Sequence, residues 1–329
     1  MILPVLSASY AVFALTLYVM LDGFDLGVGM LLLFQRDQAS RNHMVDSITP
    51  TWDGNETWLI LAGVTLLAAF PWAYGILMPA LYIPLIVMLL SLGLRGVSFE
   101  FRVQTRSLRP HWDRVFAFGS LLAALMQGMV VGTLLQGVSV EGTRYSGGAF
   151  DFLHPLPLIC GVGLAISYMV LGAGWLHLKG NTRIETFARH FLRGLVPAQL
   201  FVTLVAVVYA VASVAELRGA IDLHRTTFLV IGIVGALVTA SILPSIRSRT
   251  ESLPFLLGLA SFLVAIAALG GIVFPYIVPF RLTVWDAAAS RLSQLFVLVG
   301  ACIVTPVVIT YSLFAYWVFR GKTPDRGWD

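Results

Sequence analysis

Residues 57–94 read TWLILAGVTLLAAFPWAYGILMPALYIPLIVMLLSLGL, without one Asp, Glu, Lys or Arg. The hydrocarbon core of a bilayer is about 30 Å thick and takes roughly 20 apolar residues of helix to span. The stretch is too long for one crossing and long enough for two, and Pro71 and Gly75 fall where a turn would divide it. Membrane-spanning strands are segments of about ten residues with alternating polarity. This run is longer and continuously apolar, so helices are expected.

The pattern repeats outward in both directions. Residues 1–21 are uncharged, and their apolar character continues past two aspartates to Phe34. Downstream, the uncharged stretches 115–140, 152–178, 194–215, 226–246, 252–280 and 292–319 are each long enough for one crossing. The expectation is an all-α polytopic membrane protein of nine transmembrane helices, with Pro110, Pro155, Gly219 and Pro254 marking ends. Composition agrees. The chain of 329 residues is 58% hydrophobic and 12% charged, with a mean hydropathy of +0.87. A soluble domain carries about 45–50% apolar and about 25% charged residues, so a water-exposed globule is excluded, as are disordered, collagen-like and disulfide-stapled chains. Cys160 and Cys302 both lie in apolar runs, which argues against a disulfide or a cysteine metal cluster. The first span has no basic leader and is expected to be retained.

The net charge of +4 invites a nucleic-acid reading, but the distribution of charge gives another. With the loop 35–56 placed in the cytoplasm, 16 of the 21 Lys and Arg residues, Arg326 among them, fall on the cytoplasmic side. The other five are Arg144, Arg218, Arg225, Arg281 and Arg291. This asymmetry predicts a periplasmic N-terminus and a cytoplasmic C-terminus. It makes the basic residues topology signals, with no nucleic-acid partner. No loop is long enough for a soluble module, so residues 1–329 read as one integral membrane domain.

Against this background the acids of the spans stand out. Asp22 and Asp25 interrupt the first span, and a spacing of three puts both on one helical face. Each ionisable group inside a span costs about 2.5–3.5 kcal/mol on insertion scales. The pair should therefore face protein or water, with the nearby glycines allowing close helix approach. Wetted helix packing and a proton or ion route both fit. A second cluster is Trp52-Asp53-Gly54-Asn55-Glu56-Thr57-Trp58. Asp53 as N-cap and Glu56 as its capping-box partner, with the tryptophans as an interfacial belt, is one reading. The other is that Asp53 meets the first-span acids and passes protons inward. In Arg95-Gly96-Val97-Ser98-Phe99-Glu100-Phe101-Arg102, Arg95 reads either as a snorkelling partner of Glu100 or as counter-ion to the buried acids. Trp285-Asp286 reads as an interfacial Trp with an N-cap Asp before the last span. The six histidines lie in loops or the last turns of spans, so none pairs with another at span depth to ligate a haem. No nucleotide loop, HExxH or CxxC motif is present.

Taken in order, Leu21-Asp22-Gly23-Phe24-Asp25-Leu26-Gly27-Val28-Gly29, Trp52-Asp53-Gly54-Asn55-Glu56-Thr57-Trp58, Ala68-Ala69-Phe70-Pro71, the segment 95–102, Leu134-Leu135-Gln136-Gly137 and Trp285-Asp286-Ala287 resemble subunit II of the cytochrome bd-type quinol oxidases, including the cyanide-insensitive branch. The resemblance covers essentially the whole chain. It implies an oxidase of the bacterial inner membrane that oxidises quinol and reduces dioxygen to water. It also implies a haem-carrying partner, subunit I, which holds haem b, haem d and the quinol site. This chain would itself bind no haem and do no redox chemistry, although some members hold a structural quinone in subunit II. A small single-span subunit often completes the complex, which is surrounded by membrane lipids. The implied fold has two four-helix bundles, here 1–140 and 141–280, and a ninth, peripheral helix with the cytoplasmic tail in 281–329. The resemblance places Asp22 and Asp53 along a proton channel towards the haems. Asp25 and Glu56 are expected on the same pathway, with Trp52, Asn55, Arg95 and Glu100 supporting it.

A stand-alone proton- or cation-coupled secondary transporter is the alternative, since acids within spans also mark coupling-ion sites. Such a protein should repeat itself. The first half has Gly27, Gly29, Pro79 and Pro84, whereas the second has Pro244, Pro275 and Pro306 but no matching acids.

Overall fold

The two aspartates of the first span do not interrupt its helix. In the computed structural model, which describes residues 2–142 and 144–324, α1 runs from Ile2 to Leu31 and buries every residue from Asp22 to Leu31. Arg326 lies outside the described residues. The loop 35–56 contains a helix of its own, α2 (Gln38–Asp46), because Asp37 caps it by accepting the Ser40 N–H at 3.0 Å. The bonds from Ser40, together with Arg183 at 3.0 Å, hold the Asp37 carboxyl below the usual carboxylate range.

The stretch 57–94 divides at Pro71, as predicted, but in two steps. Helix α3 (Trp52–Ala69) stops at Phe70, where φ −137° and ψ 59° leave the helical region. Pro71 then opens α4 (Pro71–Ala80), in a first turn where its missing N–H costs nothing. Leu81 separates α4 from α5 (Tyr82–Gln104). Gly75, expected at the turn, lies inside α4.

Prolines at the first turn also open α6 (Arg109–Gln136) and α7 (Pro155–Lys179). Next come α8 (Thr182–Ser213), α9 (Ala215–Leu223) and α10 (Arg225–Ser245), and Gly219 sits within α9 instead of ending an element. Helix α11 (Leu253–Val273) ends before Pro275, seven residues short of the uncharged run it came from. The remainder of that run enters a short antiparallel pair, β3 (Tyr276–Val278) with β4 (Leu282–Thr283), which matches β1 (Val140–Glu141) with β2 (Arg144–Tyr145) in an earlier loop. The last helix, α12 (Arg291–Val318), is capped by Ser290, which accepts from Ser293 N. Asp286 is not its cap, and hydrogen-bonds instead with the Thr283 hydroxyl at 2.5 Å.

Eight helices among the described residues are long and apolar enough to cross a membrane: α1, α5, α6, α7, α8, α10, α11 and α12. The expected ninth is α3. It spans 18 residues but opens on Asp53, Asn55 and Glu56, which dilute its apolar content. Outward-facing apolar side chains fit a lipid surround: on α12, Leu292 and Phe296 are 80% and 81% exposed.

Helix α1 lies at the centre, against α3, α6 and α7, with α5 on α6 and α6 on α7. Helix α7 packs on α8 and α11, α10 on α8 and α11, and α12 on α3 and α1. Glycine makes the α1–α7 crossing possible. A Cβ at Gly27 would stand 1.8 Å from the Tyr168 carbonyl oxygen, and one at Gly172 would stand 2.4 Å from the Gly27 carbonyl carbon. Both obstacles are backbone, so neither can swing aside. Gly27→Ala is expected to remove the folded chain from detergent extracts of membranes. Gly63→Ala, whose Cβ meets nothing within 4 Å, should leave its amount unchanged in the same fluorescence size-exclusion assay.

Candidate functional site

Two carboxyls of the spans, Asp22 and Glu56, converge on one guanidinium. Arg95 reaches in from α5 and is fully buried. Its Nη2 lies 2.6 Å from Asp22 Oδ1 and also bonds Glu56 Oε1, so a single nitrogen bridges α1 and α3. Trp52 lies beside the guanidinium, its ring centroid 5.9 Å from Cζ, and stacks on Phe99 at 4.8 Å. Of the two readings of Arg95, the counter-ion geometry is the one found. Glu100 is exposed on α5, and no hydrogen bond or ion pair joins it to the cluster.

Asp25 shares the buried face with Asp22, as the spacing of three predicts, but has a different partner. Asn55 Nδ2 donates to Asp25 Oδ2 at 2.7 Å and to the Leu21 carbonyl at 3.3 Å. The Tyr316 hydroxyl of α12 donates to Asn55 Oδ1 at 3.1 Å. Asn55 thus ties α1, α3 and α12 together at one amide. Among the described residues, Asp22 Oδ2, Asp25 Oδ1, Arg95 Nε and Arg95 Nη1 have no hydrogen-bond partner. Each can take a further bond.

The capping-box reading of the second cluster does not survive. Thr51 precedes α3, Asp53 is exposed inside its first turn, and Glu56 turns towards Arg95. Nor do both tryptophans form an interfacial belt. Trp58 is 1% exposed, with Phe13 edge-on at 5.9 Å.

The sequence reading missed a polar chain on the far side of Asp22. Tyr18, one turn earlier on α1, faces the Asp22 carboxyl. Gln127 Nε2 donates to the Tyr18 hydroxyl at 2.6 Å, and the Tyr168 hydroxyl donates to Gln127 Oε1 at 2.7 Å. Gln127, in the middle of the uncharged run 115–140, was the available signal. A second buried network was also missed. Arg102 donates to Asp113 and to Asn42, both at 2.6 Å, fastening α2 and α6 to the end of α5. No group of three or more His, Cys, Asp and Glu side chains is placed to hold a metal ion among the described residues.

Residues 3–319 match the sequence model of one protein family, described as cytochrome bd terminal oxidase subunit II. Among curated proteins, cytochrome bd-I ubiquinol oxidase subunit 2 of Escherichia coli K12 is 29% identical, over 92% of this chain and 90% of that protein. The probable cytochrome oxidase subunit 2 of Haemophilus influenzae is 30% identical over the same shares. Cytochrome bd ubiquinol oxidase subunit 2 of Bacillus subtilis is 27% identical over 93% and 92%. Among solved structures, a chain of the bd oxidase from Geobacillus thermodenitrificans superposes with a TM-score of 0.78, covering 97% of this chain and 99% of that one at 18% identity. That similarity speaks for the fold.

Proposed function

The chain belongs to the cytochrome bd terminal oxidase subunit II family, and from that premise we propose that it is the subunit of a bacterial inner-membrane quinol:oxygen oxidoreductase that scaffolds the haem-carrying subunit I and feeds it protons. The haems b and d supply the electron transfer and oxygen chemistry in the partner. This chain's residues hold and move protons. The observation that carries the reading is Asp22 and Glu56 sharing Arg95, with Asp25 one turn from Asp22 and held by Asn55, in a region where an unpaired charge is expensive. One guanidinium balances one carboxylate, so the other carboxyls are settled best with a proton among them. A buried group that gains and loses protons at little cost is what a relay needs.

In this reading Asp53, exposed in the first turn of α3, collects protons from the cytoplasm. Glu56, three residues on, receives them and shares Arg95 with Asp22. Trp52 and Asn55 hold the guanidinium and Asp25 in place, and Glu100 stays outside the route. The N-terminus is periplasmic and the C-terminus cytoplasmic, with α3 completing a ninth crossing. The two four-helix bundles of this reading are α1, α3, α5 and α6, and α7, α8, α10 and α11, joined through α1–α7 and α6–α7, with α12 peripheral on α1 and α3.

Purification of the tagged chain from its own membranes tests the assignment. The preparation is expected to contain a larger partner, to show haem b and haem d bands in the visible spectrum, and to consume oxygen with quinol. A colourless, partner-free chain that moves a cation across vesicle membranes would establish the transporter instead.

A further inference from the structure

A cavity of about 350 Å³ opens where α7, α12 and the loop between α10 and α11 meet, lined among others by Trp175, Lys179, Glu251, Tyr316, Arg320 and Lys322. Its mouth lies on the face that carries most of the basic residues. Its cations are already engaged. Lys322 pairs with Glu251 at 2.8 Å, and Lys179 donates to the Phe319 carbonyl at 2.7 Å while lying 5.2 Å from the Trp175 ring centroid. The Arg320 guanidinium lies over Trp317 at 4.8 Å. Lys322 is thus neutralised by Glu251, while Lys179 and Arg320 are held by a carbonyl and a ring, and a volume of this size admits several waters.

The informative wall is Tyr316. Its ring meets Trp175 edge-on at 6.2 Å and lines the cavity, while its hydroxyl bonds Asn55, which in turn bonds Asp25. Tyr316 and Asn55 therefore stand in series between an open, wettable space and a fully buried carboxyl whose Oδ1 has no partner among the described residues. From this geometry we propose that the cavity is a second aqueous inlet, serving Asp25, with Tyr316 as its gate. It is separate from the Asp53–Glu56 branch and rests on the proton-relay reading given above. The carboxamide of Asn55 is a poor proton carrier. Its part is to latch the Tyr316 hydroxyl, and a swing of the ring off that latch brings water from the cavity to Asp25. What the inlet must admit is neutral water, with which Asp25 exchanges protons, so a mouth that carries Lys179 and Arg320 beside the Lys322–Glu251 pair does not oppose it.

The test uses the intact oxidase complex in membranes. Lys322→Cys at the mouth is labelled with a bulky maleimide, alone and combined with Asp53→Asn. Oxygen consumption per haem is read before and after labelling, relative to the parental chain treated in parallel. Arg249→Cys, exposed in the same loop region but outside the cavity, reports on labelling as such. Plugging is expected to slow turnover about two- to threefold with Asp53 intact and tenfold or more with Asp53→Asn, while labelled Arg249→Cys keeps its rate. An unchanged rate on plugging in the Asp53→Asn background overturns the inlet. Asp25→Asn, measured alongside, separates the two ideas: slow turnover there with no effect of plugging removes the inlet and keeps the relay, and normal turnover there removes both.

Discussion

Arg95→Met is expected to deplete the assembled complex from the membrane about tenfold or more, and Arg95→Met combined with Asp22→Asn to restore much of it. Among the described residues the guanidinium is the only cation bonded to Asp22 and Glu56, and it is fully buried. Methionine fills a similar volume but leaves the carboxyls facing one another in a low-dielectric interior. Stripping one partner from a buried ion pair costs about 3–5 kcal/mol, against a total stability of about 5–15 kcal/mol for a typical domain. That loss is large enough to shift most of the chain towards degradation. The double variant removes a charge from each side and leaves Glu56, 27% exposed at its side chain, with a way to be solvated. Complex abundance is read from haem content per membrane protein and from co-purification of the larger partner. Arg95→Met at normal abundance would show that the buried carboxyls do not depend on this counter-ion. Failure of the double variant to recover would locate Arg95's main contribution in its packing on Trp52.

What the sequence disclosed about this cluster, and what it withheld, follows from the kind of signal each feature leaves. Charge-free runs are long-range signals, so the eight long apolar helices were found, although α8 begins well before, and α5 runs well past, its uncharged run because charged turns extend both helices. Asp22 and Asp25 were conspicuous because a carboxyl in such a run is costly unless it is paired or wetted. The partners were harder. Arg95 sits near the end of a span, where cations are ordinary, and its turn towards Asp22 instead of Glu100 is decided by how α5 packs on its neighbours. Local rules misled at Asp53. Asp followed three residues later by Glu matches a capping box, yet α3 starts at Trp52, and Glu56 finds a stronger partner 39 residues away. The same holds for Asp286, displaced as a cap by Ser290. Tyr18, Gln127, Tyr168 and Tyr316 were missed because an amide or phenol in an apolar run is unremarkable until its distant partner is known.

The exposed and buried acids should separate in their kinetics, with Asp25→Asn giving the larger effect of the two. Asn is nearly isosteric with Asp, and its carbonyl oxygen can still accept from Asn55 Nδ2, so the contact at 2.7 Å and the packing of α1 on α3 need not change. What disappears is a group able to take up and release a proton. Haem content and quinol affinity are therefore expected to stay near those of the parental enzyme. Maximal oxygen consumption should fall about tenfold or more, equivalent to about 1.4 kcal/mol or more on the limiting barrier. Asp53→Asn, at an exposed position with water and neighbouring groups able to substitute, should fall by about threefold or less with assembly intact. A fall in rate without a fall in haem content distinguishes proton supply from folding, because a structural role would lower both together. If Asp25→Asn instead turned over normally per haem while its assembly failed, the buried carboxyl would be a packing element of the α1–α3–α12 junction, and the protons would have to reach subunit I by a path that avoids it.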